Sequence, residues 1–341
     1  MNLKILMPVI LLILSCEEKN VYFNDTTVKT INGFTIVSDT IDINIEGYLY
    51  NGIKFKDAYY CQFIIRDEFH NEDLNNFYII KKGYHSVGKV TLPMEIQFWD
   101  TDIHVRNDSI IAKSFDLTTY YLNLDKQEWE SIKTVDDLIY EDEDYYITSV
   151  NFGEWGGATW FKDKKTGIDY EATIPTNEVS QLNGFYYLIT EHSIDVIENP
   201  KLLYNCGKDY YKQFLDTDRL IKFNQRERSE YNKGVYNIFK DDRSEWDNKL
   251  KITTSIIHKD SLFYIMNEGL HTYIAKLDNG NLITVADIEH EVHIPQKQNK
   301  CCSPSSENIH LFYSDSKTFG FMEISNDTIN MHYIKNYHVK N

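Results

Sequence analysis

Proline and glycine are scarce, 6 and 15 residues in a chain of 341, which excludes collagen-like or linker-rich organisation. Long apolar runs are missing as well. The run Ile5 to Leu14 stops after ten residues, whereas a bilayer-spanning helix takes about 20. Positive charge is in deficit, with 35 Lys and Arg against 52 Asp and Glu and a formal net charge of -17. Phosphates would be repelled rather than bound, so nucleic acid and anionic membrane surfaces are poor partners; a neutral or cationic ligand, such as a glycan or a peptide, fits better. No Walker loop, dinucleotide fingerprint, serine elbow or HExxH helix is present, and nothing calls for a cofactor. His290-Glu291-Val292-His293 lacks metal-site spacing, since in a strand positions i and i+3 point to opposite faces. The acidic run from Asp136 to Asp144 has no ordered EF-hand spacing and reads as a solvated loop. No metal ligands are expected.

What is present is a core. Hydrophobic residues make up 42% of the chain and aromatics 14%, with 25 Tyr, far above what a disordered polymer carries. Leu250 to Ile288 shows how that content is arranged. Ile252 to Ile257, Leu262 to Met266, Thr272 to Leu277 and Leu282 to Ile288 are apolar, β-branched or aromatic runs separated by polar turns. The turns His258-Lys259-Asp260-Ser261 and Asp278-Asn279-Gly280 use residues that tolerate positive φ or bond their own backbone, so the stretch predicts a four-strand antiparallel meander. The layout returns at 102–132, 138–174, Val179 to Tyr204 and about Glu289 to Ile334, and a further unit lies in 41–100. Second strands recur near residues 109, 145, 185, 262 and 309, at intervals of roughly 40 except for one of about twice that. Four-stranded units at this period predict an all-β fold, a β-propeller of about six blades, or seven if the less regular segment at about 205–249 is a degenerate blade rather than an insert. The strictly alternating Thr40 to Glu46 reads as a half-buried strand, and an N-terminal strand is expected to complete the last blade and close the ring.

The first residues read as an address. Lys4, the apolar run and Ile13-Leu14-Ser15-Cys16 form a signal peptide. Its end resembles the bacterial lipobox, which implies that Cys16 is diacylated and becomes the first mature residue. Residues 1–15 are then leader, 16–27 a lipidated tether and 28–341 one propeller domain. The cassette Phe152-Gly153-Glu154-Trp155-Gly156-Gly157-Ala158-Thr159-Trp160-Phe161-Lys162-Asp163-Lys164-Lys165-Thr166-Gly167, followed by the runs at 184–188, 260–265 and 272–277, resembles uncharacterised β-propeller lipoproteins of Bacteroidota. That resemblance implies an outer-membrane location, held to the membrane through the N-terminal lipid, and brings no catalytic residues. The other cysteines, Cys61, Cys206, Cys301 and Cys302, are either buried thiols or two disulfides, with a bond between the adjacent pair excluded by strain.

In a propeller the turns between second and third strands share one face with the connections between blades. Here they carry Asp116, Glu154, Trp155, Glu191, His192, Asn267, Glu268, His271, Asp315 and Lys317. Glu154 and Trp155 beside two glycines are the sharpest feature, the indole offering a stacking platform and the glycines a bulge or close backbone approach. Glu154, Trp155, Glu191, His192, Glu268 and His271 are therefore the candidate ligand-binding set. The expected role is a binding or interaction module with a glycan or protein partner. The alternative is an envelope enzyme acting on glycans, in which Glu154 would need a second carboxylate about 5–10 Å away. Five Asp-Ser/Thr pairs, at Asp25, Asp39, Asp108, Asp260 and Asp327, resemble an O-glycosylation sequon of Bacteroidota envelope proteins, though hairpin turns produce the same pattern.

Overall fold

The computed structural model describes residues 22–338 apart from 66–73, 82–85, 98–100, 107, 115–117, 133–137, 152–155, 212–232, 244–249, 270, 289–290, 293–307 and 314–318. Cys16, Cys301 and Cys302 lie outside the described residues.

The strands build a six-bladed β-propeller. A hairpin, β1 (Tyr22–Ile31) and β2 (Phe34–Ile43), comes first. Blade one follows as β3 (Tyr48–Phe55), β4 (Ala58–Ile65), β5 (Leu74–Lys81) and β6 (Ser86–Val90). Blade two is β7 (Asp102–Arg106), β8 (Ser109–Lys113), β9 (Thr119–Asn123) and β10 (Glu128–Ile132), and blade three begins with β11 (Leu138–Glu141), β12 (Tyr145–Asn151), β13 (Gly157–Asp163) and β14 (Ile168–Ala172). Blade four starts with β15 (Glu178–Leu182), β16 (Phe185–Ile189) and β17 (Ser193–Ile197). At that point the order departs from the sequence expectation, which placed a fourth strand just before Tyr204. A 3-10 turn at Pro200–Leu202 sends the chain back, β18 (Tyr204–Lys208) adds a fifth strand to blade three, and only β19 (Val235–Lys240) completes blade four. The irregular segment thus supplies one edge strand to each of two neighbouring blades.

Blade five is β20 (Lys251–His258), β21 (Ser261–Glu268), β22 (His271–Asp278) and β23 (Asn281–Ile288), the meander expected from Leu250 to Ile288. Its turns work by positive φ: 47° and 56° at Lys259 and Asp260, 49° and 79° at Asn279 and Gly280. Such φ pairs match the right-handed twist of the flanking strands.

Blade six contains β24 (Glu291–Val292), β25 (Asn308–Tyr313), β26 (Phe319–Ser325) and β27 (Thr328–Asn336), and then continues into the start of the chain in the order β27-β2-β1. β2 lies parallel to β27 in a nine-residue register from Thr35↔Thr328 to Ile43↔Asn336. Of the alternating residues Thr40 to Glu46, those up to Ile43 are the end of β2 and Asn44 to Glu46 lie beyond it; the N-terminal strand closes the ring by extending a complete blade rather than filling a vacant position. Asn336 clasps the junction: its Nδ2 donates to the carbonyls of Ile45 (2.6 Å) and Gly47 (3.0 Å), and its Oδ1 accepts from Ile45 N–H (3.0 Å). Gly47, at φ 96°, cannot be replaced, because a Cβ there would sit 2.4 Å from the carbonyl oxygen of Ile64.

The core lies between blades. Leu49, Tyr59, Phe63, Ile41, Phe321 and Ile334 fill the seam of blades six and one; Ile256, Ile265, Ile274, Met322, Ile329 and Phe34 fill that of blades five and six. Each such side chain contributes about 1.5–3 kcal/mol on burial. Cys61 is a buried free thiol whose pKa is pushed up by desolvation, and Cys206 donates its thiol toward Glu171 Oε2 at 3.5 Å. Neither forms a disulfide among the described residues.

Candidate functional site

Second-to-third strand turns and blade connections do share a face. The turn between β16 and β17 presents Glu191 and His192, shaped by Thr190, whose Oγ1 accepts from Ser193 N–H (2.8 Å) and His192 N–H (3.2 Å). Glu268 and His271 end β21 and begin β22 as cross-strand partners, both exposed.

The connection from blade four to blade five ties these two turns together. Asp241 N–H donates to the carbonyl of His192 (2.9 Å), and Ile252 N–H to that of Glu191 (2.8 Å). His192 Nδ1 lies 3.0 Å from the carbonyl of Leu250, so that nitrogen carries the proton. The Asp241 carboxylate accepts from Leu250 N–H (2.6 Å) and from Arg243 Nε (2.9 Å). Arg243 also reaches Glu268 through Nη1. Hydrogen bonding from Arg243, helped by the amides of Leu250 and Arg243 and opposed by burial, lowers the Asp241 pKa to about 2. Glu191 has its own cation, Lys251, at 3.4 Å.

The structure therefore brings Glu191, His192, Glu268 and His271 to one junction of blades four and five, and each carboxylate faces a basic side chain. Arg243 and Asp241, which organise the site, were missed in the sequence. Their signal was the strand-like Val235 to Lys240 immediately before them, masked by the irregular segment in which it lies. Glu154 and Trp155 lie outside the described residues, as do Asp116, Asp315 and Lys317. The glycines beside them are described: Gly156 has φ 85°, and a Cβ on Gly157 would lie 2.3 Å from the Val150 carbonyl oxygen and 2.4 Å from Pro175 Cβ, which is the expected close backbone approach. Trp160 of the same cassette is fully buried, its Nε1 donating to Glu171 Oε2 at 2.7 Å.

Other clusters have structural roles. The acidic run is engaged locally: Glu141 with Lys164 (2.6 Å), Asp144 with Lys165 (2.9 Å), and Asp142 with the Tyr186 hydroxyl (2.6 Å). Glu178 on the inner strand of blade four accepts from Thr254 Oγ1 (2.7 Å) and Ser255 N–H (3.0 Å) on that of blade five, joining two blades beside the axis. Asp108, Asp260 and Asp327 of the Asp-Ser/Thr pairs all sit in hairpin turns. Among the described residues no group of three or more His, Cys, Asp or Glu is placed to hold a metal ion.

No family model and no curated protein matches the chain. Among solved structures it is similar to the tricorn protease, at 10% identity and TM-score 0.40, over 89% of this chain and 30% of the protease. It is likewise similar to a putative 6-phosphogluconolactonase from Bacteroides fragilis, at 11% identity and TM-score 0.37, covering 93% and 94% of the two chains. With an acylaminoacyl peptidase of Pyrococcus horikoshii the values are 10% and 0.37, over 82% of this chain and 51% of the peptidase. The chain spans less than a third of the first of these and about half of the last. Such distant likenesses assign no activity. The class is defined by the fold itself: a six-bladed β-propeller whose first strands extend its last blade.

Proposed function

We propose that this protein is a lipid-anchored propeller of the bacterial outer membrane that binds a partner through the face carrying Glu191, His192, Glu268 and His271, with Glu154 and Trp155 on the blade-three turn of that face. The observation that carries this reading is the continuous chain Glu268–Arg243–Asp241–Leu250–His192 across the blade junction. A carboxylate held against a guanidinium is a poor general acid or base, whereas a fixed surface of both charges suits recognition of a protein or glycan partner.

The same topology sets an orientation. Tyr22 pairs with Asp42 near the end of β2, so β1 begins on this face. Six residues from Cys16 reach at most about 20 Å. With the lipid on Cys16, the face lies close to the bilayer, and its partner is membrane-proximal.

Two variants test the two halves of the reading. Cys16→Ser removes the only thiol that can take the diacylglycerol, and labelled palmitate should no longer enter the protein; unchanged labelling refutes the anchor. Trp155→Ala should weaken partner binding, screened on glycan and peptide arrays, by about 1–3 kcal/mol with an unchanged melting temperature. A large fall in melting temperature would make Trp155 a packing residue, and unchanged binding with unchanged melting would remove the face from consideration.

A further inference from the structure

Among the described residues blade six has six strands and blade five has four, so the hairpin β1–β2 projects beyond β23 with no described strand opposite it. At one end the overhang is closed. Asn32 Nδ2 donates to the Val285 carbonyl, and Phe34 packs on Phe263 and His258, both at 5.1 Å. Further along β2 the two blades part and leave a groove of about 330 Å3. That lies near the lower end of small-molecule sites, about 300–1,000 Å3, with room for a dipeptide.

The chemistry of this groove differs from that of the ring face. Lys29 on β1 and Asp287 on β23 both line it, and among the described residues neither carries an ion pair or a hydrogen bond. Other lysines of the propeller are matched by carboxylates, as in Lys54 with Glu323, Lys251 with Glu191 and Lys162 with Asp209. Thr27, Ser38 and Thr40 add three hydroxyls to the same space, likewise without side-chain partners. An apolar lining comes from Ile36, Ile288 and Met331. The second carboxylate of the lining, Asp39, is already engaged by Nδ1 of His332, which leaves one cation, one unengaged anion and a cluster of hydroxyls over an apolar patch, a set that complements a small zwitterion with an apolar side chain. A neutral sugar would use the hydroxyls and leave both charges unmatched.

We infer that the groove between blades five and six binds a dipeptide-sized zwitterion: its α-carboxylate on Lys29 and the neighbouring hydroxyls, its ammonium on Asp287, and its side chain against Ile36, Ile288 and Met331. The site is separate from the ring face proposed above, and neither depends on the other.

The test uses the full protein, purified in detergent, titrated calorimetrically with leucyl-leucine, its N-acetyl derivative, its C-terminal amide and maltose. Leucyl-leucine binds and raises the melting temperature. Amidation and Lys29→Gln each weaken it about tenfold, and combining them costs no more than either alone, because both remove the same contact. N-acetylation and Asp287→Asn behave as a second such pair. Lys29→Arg keeps most of the affinity, and Trp155→Ala changes nothing. Lys29 and Asp287 are exposed, so these variants retain the wild-type melt. Absence of binding by the unaltered dipeptide, affinity indifferent to both variants, or binding of maltose in its place would each overturn the assignment.

Discussion

Glu323→Gln should cost about 3–5 kcal/mol of folding stability, the scale of breaking a buried ion pair by removing one member. Glu323 sits in the seam where the ring closes, its side chain only 3% exposed. It accepts from the Tyr59 hydroxyl and from Lys54 Nζ (2.8 Å), and lies 3.3 Å from Nε2 of His332. That last approach is close enough for attraction but not aligned as a hydrogen bond; the imidazole is oriented by Nδ1, which faces the Asp39 carboxylate on β2. The amide of glutamine matches the volume, leaves Lys54 without its counter-charge and leaves His332 with Asp39 alone. Burial raises the Glu323 pKa, yet the adjacent His332 imidazole, together with hydrogen bonds from Lys54 and Tyr59, outweighs it and holds the carboxyl well below its ordinary range. Burial likewise disfavours a charged His332, and Asp39 and Glu323 more than offset it, so that its pKa is raised.

Signs follow from linkage. A raised imidazole contributes stability that is fully present below its unfolded value, about 6.5, and is lost as pH rises through the folded one. A depressed carboxyl contributes stability present above its unfolded value, about 4.3, and lost as pH falls toward the folded one. The seam is therefore strongest in mild acid. Urea midpoints of the wild type should fall between pH 6 and pH 8.5, and His332→Gln should flatten that fall. A midpoint that rises over the same interval, or a Glu323→Gln protein as stable as the wild type, would show that the cluster does not brace the ring.

The blades were legible because their information is local. β20 to β23 are β-branched and aromatic runs joined by turns whose residues accept positive φ, and the same signals place β7 to β14. Where pairing partners lie far apart in sequence, local signals fail. Nothing in Val235 to Lys240 says that it is the fourth strand of a blade whose third ended at Ile197, because β18 has meanwhile joined the previous blade. Parallel pairing of β2 with β27 joins the two ends of the chain and has no local signature at all. The site follows the same division. Glu191, His192, Glu268 and His271 were found as polar residues in turns, but their availability depends on Lys251 and Arg243, and only the ring closure reveals the groove above β2. In the cassette, indole alone could not separate a packing residue from an exposed platform; Trp160 is the former.

Removing residues 22–43 should abolish cooperative folding, the largest single effect expected here. The missing hairpin carries Phe34, Ile41 and Ile43, all at most 1% exposed and shared between the cores on either side of blade six. At about 1.5–3 kcal/mol each, those three side chains alone approach the 5–15 kcal/mol by which a whole domain is stable. The deletion also bares the edge of β27 along its nine-residue register and takes Asp39 from His332. An edge of that length is a template for wrong pairing, so aggregation rather than a compact monomer is the expected product. A synthetic peptide spanning 22–45 tests whether the loss is one of closure: added in trans during refolding, it should restore a sharp thermal transition, since it supplies the same strand pairing and the same three side chains without the covalent link. A chain beginning at residue 44 that melts as sharply and as high as the full protein would mean that β27 closes blade six by itself and that the hairpin is only an appendage.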